Sequence, residues 1–152
     1  MKSSTTLLMT LRTLREVHIS LALSNLAAYY VAFDRWSDAR IHAREALCVA
    51  RETRQYADIA AMLEHLAAIA ALSEGPKHER ASGRRELAAM LLGYAARYGA
   101  RVGAARNAIE QKEYDRALSA LRGALGSVEL ATLMAGGESM TLNEAIEQAL
   151  SI

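Results

Sequence analysis

His42 and Glu45 stand three residues apart, a spacing that puts two metal-ligand types on one face of a helix. A di-metal site in a helical bundle needs a second such pair and further carboxylates on other helices, so this pair alone does not make one. Glu64 and His65 are adjacent and on a helix would point to different faces. Ser, His and Asp all occur, yet no serine sits on a glycine elbow. The chain has no GxxxxGK[ST] phosphate loop and no GxGxxG. Cys48, the only cysteine, lies between Leu47 and Val49 in a helical run and reads as a small buried apolar residue. Without a second cysteine it has no internal disulfide, which fits a reducing compartment. No grouped nucleophile, base and oxyanion donors are visible, so the expectation is a protein that is not an enzyme and needs no metal or cofactor.

The elements that carry these residues follow from composition. Of the 152 residues, 52% are hydrophobic but only 5% are aromatic, and there is a single proline. Alanine and leucine dominate, which favours closely packed helices over a sheet. The net charge of +1 gives no overall field toward nucleic acid or anionic lipid. Residues 77–106 are locally basic, with Arg80, Arg84, Arg85, Arg97, Arg101 and Arg106. No aromatic residues are arranged there for base stacking, so a solvated helix face is expected rather than a nucleic-acid site. No run of 18 apolar residues is free of charge, and the start, with Arg12 and Arg15, does not read as a signal peptide. A cytoplasmic protein with no membrane contact is implied.

Periodicity and breakers predict helices over about 4–15, 17–33, 36–53, 56–73, 85–99, 112–125 and 127–135, and a last one opened by Thr141 and Glu144 at the capping-box spacing. The stretch from Ser73 to Arg85, with Gly75 and Pro76, predicts a mobile loop. The connections elsewhere are so short that neighbouring helices must pack antiparallel. Between Leu23 and Leu47, large residues (Leu23, Leu26, Tyr30, Trp36) face small ones (Ala27, Ala39, Ala43, Ala46). The small residues let two axes approach while the large ones fill the grooves, which makes a tight hairpin.

The order Leu23, Leu26, Ala27, Tyr30, Trp36, Ala39, Ala46 resembles a tetratricopeptide repeat, and Leu63, Leu66 and Ala67 begin a partial second copy. Further on, Leu91, Leu92, Gly93, Gly103, Tyr114, Arg116, Ala117, Leu118, Leu121, Leu125, Gly126, Gly137, Thr141, Leu142, Glu144 and Ala145 resemble the C-terminal region of large bacterial ATPase-type transcriptional regulators. That resemblance implies an all-α fold. Antiparallel hairpins over 16–72 would stack as a short right-handed superhelix, followed by the 73–85 loop and a helical cap over 86–152. It further implies a sensor or scaffold role in signalling rather than catalysis.

In stacked repeats the first helix of each hairpin lines a concave face. Here those positions are Leu21, Ser24, Asn25, Ala28 and Val31, then Glu64, His65, Ala68 and Leu72. The expected partner is an amphipathic helix or peptide held in this apolar groove, or the chain's own terminal helix. A homodimer is also expected. The other reading is a small-molecule effector held in the groove or near Tyr94, Tyr98 and Tyr114.

Overall fold

The computed structural model describes residues 4–73 and 81–152, the side chains of Ala81 and Ser82 excepted. Among the described residues there are seven helices and no strand. They are α1 (Ser4–Ala32), α2 (Trp36–Glu52), α3 (Tyr56–Leu72), α4 (Ala81–Val102), α5 (Ala108–Leu125), α6 (Ser127–Gly137) and α7 (Leu142–Leu150). The protein is all-α.

The α1–α2 hairpin forms as its residue sizes require. Ala27, Ala39, Ala43, Ala46 and Ala50 are fully buried, and Leu23, Tyr30 and Trp36 pack against them. Leu26, expected on the same face, is instead exposed. The two turns flanking α2 share one device. Asp34 and Arg54 adopt left-handed backbone angles, φ 57° and 58°. In each case the next amide, of Arg35 or Gln55, bonds to the carbonyl five residues back, of Tyr30 or Ala50, at 2.9 Å. This is the Schellman closure, which satisfies the last helical carbonyls while reversing the chain within three residues. Gly103, φ 73°, ends α4 in the same way, with the Ala104 amide on the Gly99 carbonyl at 2.8 Å.

Four predicted boundaries differ. The break expected near residue 16 does not exist, because no glycine or proline interrupts residues 4–32 and α1 runs through. The expected loop from Ser73 to Arg85 is helical from Ala81, where the Arg84 guanidinium donates to Ser73 Oγ at 2.6 Å. The Gly75–Pro76 stop lies outside the described residues. Helix α4 continues through Gly99 to Val102. Helix α5 begins at Ala108, four residues early, since Asn107 and Glu110 cap it reciprocally: Asn107 Oδ1 accepts from the Glu110 amide at 2.8 Å, and Glu110 Oε1 from the Asn107 amide at 3.1 Å. Thr141 does cap α7 through the Glu144 amide, at 3.1 Å.

Helix α3 is the centre. It packs against α1, α2, α4, α5 and α7, and every residue from Met62 to Ala70 is buried. Helices α4 and α6 touch backbone to backbone. A Cβ on Gly93 would collide with the Met134 carbonyl, and one on Gly137 with that of Met90. Helix α7 lies against α2, α3 and α4. It buries Ala145, Ile146 and Ala149, and its C-terminal half is tied by Arg51 to Glu147 at 3.0 Å and by Arg44 to the Leu150 carbonyl.

Candidate functional site

Helix α3 is apolar along nearly its whole length, yet it buries Glu64 and His65 side by side. Two ionisable groups in such surroundings are costly unless partnered, and α5 with its lead-in supplies both partners. Arg106 Nε lies 3.0 Å from each Glu64 oxygen, and Arg106 Nη2 is 2.6 Å from Oε1, a forked charge-assisted contact. The same guanidinium lies over the Tyr114 ring, 3.7 Å from its centre. His65 Nδ1 is 2.6 Å from Glu113 Oε2, with both side chains buried. Adjacent positions thus do serve different directions, but neither points to solvent: each is an anchor for α5.

Burial pushes the Glu64 carboxyl above the usual carboxylate range, against the pull of Arg106. For His65, burial pulls the imidazole down, but the Glu113 carboxylate, helped by Glu110 and Glu64, outweighs it and the net direction is upward. Tyr114 is also raised, by burial against the opposing charge of Arg106.

Two half-open hollows of about 570 Å³ each remain here, the first between α1, α3, α4 and the lead-in to α5, the second between α1, α3 and α5. Asn25, Asn107 and Glu110 border both. The first is walled by Leu21, Ser24, Ala61, Glu64, Gly99 and Arg106, among others. Its lining includes the Glu64–Arg106 pair, so this hollow is more polar than the largely apolar groove expected. The second is lined by Ala28, Val31, His65, Glu113 and a rim of Tyr29, Phe33 and Ile109, which are 57%, 61% and 59% exposed. Its far end is closed where Arg116 reaches Asp34 Oδ1 at 2.6 Å and the Val31 carbonyl at 3.3 Å.

Of the residues expected to share a groove, Leu21, Ser24, Asn25 and Glu64 line the first hollow, and Asn25, Ala28, Val31 and His65 line the second. Ala68 is buried in the core and Leu72 packs against it, and neither lines these hollows. The terminal helix α7 lines neither hollow, so it does not fill the trough. Tyr94 and Tyr98 are buried and stack on each other at 5.7 Å, with Tyr98 Oη donating to the Tyr56 carbonyl, so they do not open onto a shared effector space with Tyr114. Arg106, expected on a solvated basic face, is instead the partner of Glu64. His42 Nδ1 lies 2.7 Å from the Asp38 carbonyl, and its ring packs against Tyr30. Cys48 is half-buried. Among the described residues no group of three or more His, Cys, Asp or Glu side chains could hold a metal ion, and no helix is long and apolar enough to cross a membrane.

The sequence reading missed Arg106 and Glu113 as site residues, and it placed Tyr114 with Tyr94 and Tyr98 rather than against Arg106. The available signal was the isolation of Glu64 and His65 in an apolar run, which demands partners without naming them. Compared with known proteins, the chain matches no family model, no curated protein and no solved structure.

Proposed function

We propose that this chain is a non-enzymatic interaction module of tetratricopeptide-like stacking. It would receive an amphipathic helix or peptide in the trough between α1 and α5, as the cytoplasmic sensor or scaffold end of a signalling regulator. The observation that carries the reading is the second hollow. Three large apolar side chains, Tyr29, Phe33 and Ile109, stay more than half exposed around a concave space that the His65–Glu113 pair also lines, with Glu113 Oε1 buried and, among the described residues, without a hydrogen-bond partner. Exposed apolar surface around a concavity is what an incoming helix covers.

Val31 and Ala28 are too buried to probe binding without harming the fold, so the rim is the place to test. Helical peptides selected for binding from a display library should lose at least tenfold in affinity toward Phe33→Arg and Ile109→Arg, with helical content unchanged. If no peptide is enriched, or both variants bind as well as the parent, the reading fails. A small-molecule effector in the same hollow is the second reading, favoured by a volume within the range of ligand pockets. A melting temperature that rises with a compound, and does not rise in Phe33→Arg, would support it.

A further inference from the structure

Among the described residues, the first twelve of α1 pack against no other element. Every side chain from Ser4 to Arg15 is exposed, and the first contact that ties α1 to the turn before α3 is Ser20 Oγ to Gln55 Oε1 at 3.1 Å. At 1.5 Å per residue, the 12 exposed residues from Ser4 to Arg15 extend about 18 Å from the body. A helix of that length is marginal alone in water. Yet Leu7, Leu8, Met9, Leu11 and Leu14 on it are 50% to 66% exposed.

These residues are not scattered. Leu7, Leu11, Leu14, His18 and Leu21 follow one another at alternating steps of four and three, the seam of a coiled coil, with no formal charge in it. The one ion pair of the segment, Arg12 Nε to Glu16 Oε1 at 3.2 Å, lies off the seam. A seam of this kind fits another helix with the same spacing, and an identical copy supplies one.

We propose that two copies of the chain pair through these projecting segments, running antiparallel. In that register Leu11 meets Leu14 of the second copy, Leu14 meets its Leu11, Leu7 meets its His18, and Ser4 meets its Leu21. Arg15 then flanks Leu8 of the other chain, along which its stem can lie with the guanidinium in water, so no like charges oppose. The two folded bodies sit at opposite ends of the pair, whereas a parallel arrangement would force them together from Ser20 onward. One face of a segment this short supplies fewer residues a side than the 20–30 of a standard interface, so a dissociation constant on the order of micromolar is expected. This surface shares Leu21 with the first hollow but no residue with the second, so it does not depend on what the second hollow holds.

Sedimentation equilibrium of the full chain should show a monomer–dimer equilibrium. Leu11→Glu with Leu14→Glu should be monomeric at tenfold higher concentration, with the melting transition of the body preserved. Phe33→Arg should leave dimerisation unchanged, which separates this surface from the trough. In a Cys48→Ser background, a mixture of Leu11→Cys and Leu14→Cys chains should oxidise to a cross-linked dimer faster than either alone. A parent that stays monomeric at 100-fold the expected constant, a Glu variant that still dimerises, a Phe33→Arg chain that does not, or faster cross-linking of Leu11→Cys with itself would each overturn the proposal.

Discussion

His65 on α3 and Glu113 on α5 meet at 2.6 Å inside the protein, 48 positions apart in the chain, with neither side chain reaching solvent. Their contact fastens α5 to the central helix, and with it Ile109, which lines the second hollow together with Phe33. Proton occupancy at this pair therefore bears on the trough as well as on stability.

Stability should fall as pH rises through and above neutrality. The His65 pKa in the folded protein lies above its ordinary value of 6.5, so the native state binds more protons than the unfolded chain in that window. Stability declines with pH wherever the native state holds the excess protons. The contribution is complete below about 6.5 and is lost as pH climbs through the raised value. Glu64, also raised, acts in the same sense from 4.5 upward. Melting temperatures between pH 6 and 9 should therefore decrease, and His65→Gln should flatten the slope. A parent whose melting temperature is constant or rises over that range would show that the imidazole is not held in its charged form.

Removing Arg106 leaves a carboxylate buried without its cation. Truncating one partner of a buried pair costs about 3–5 kcal/mol, and because Arg106 is a quarter exposed, Arg106→Met should cost about 2–4 kcal/mol. Replacing both, Glu64→Leu with Arg106→Met, should recover most of that loss, since the desolvation cost of the pair disappears with it. Urea midpoints at constant m-value would measure both steps. A double variant no better than the single one would mean that the pair itself contributes net stability.

Much of this fold was legible because it depends on local pattern. The alanines of α2 and the Tyr30–Trp36 turn specify a hairpin from spacing alone, and Thr141 marks the start of α7. What was not legible depends on residues far apart in sequence. Glu64 reaches Arg106 across 42 positions, and nothing within α3 indicates which of the chain's many arginines it will meet. The continuity of α1 was hidden for a different reason. Its first twelve residues have no packing partner among the described residues, so their periodicity reads as a separate short helix rather than as the projection of a long one. The start of α5 was overlooked because its cap, Asn107, follows a glycine-rich stretch that reads as loop.

The glycines of α4, α5 and α6 should respond with opposite signs. Gly93→Ala and Gly137→Ala each place a methyl group against the backbone of the facing helix, which cannot yield without separating α4 from α6. Losses of about 3 kcal/mol or more are expected, beyond ordinary overpacking, because backbone rather than a flexible side chain is in the way. Gly123→Ala meets nothing within 4 Å in a helix interior and should gain about 0.5–1 kcal/mol. Chemical denaturation of the three variants tests the close crossing directly, since equal effects at Gly93 and Gly123 would be incompatible with it.

Asp34 and Arg54 occupy the same backbone position at the ends of α1 and α2, yet glycine should help at only one of them. A left-handed conformation costs an ordinary residue about 1–2 kcal/mol, and glycine avoids this while adding freedom to the unfolded chain. Arg54 is exposed, so Arg54→Gly should gain about 0.5–1 kcal/mol and raise the melting temperature by about 2–4 °C. Asp34→Gly relieves the same strain but loses the contact to Arg116, an exposed pair of the kind that contributes about 0.2–1 kcal/mol. The two effects nearly cancel, and the variant should melt close to the parent. In an Arg116→Ala background that loss no longer applies, so Asp34→Gly should then stabilise as Arg54→Gly does. Equal gains at both sites in the parent background would mean that the Arg116 bridge closing the hollow contributes nothing to stability.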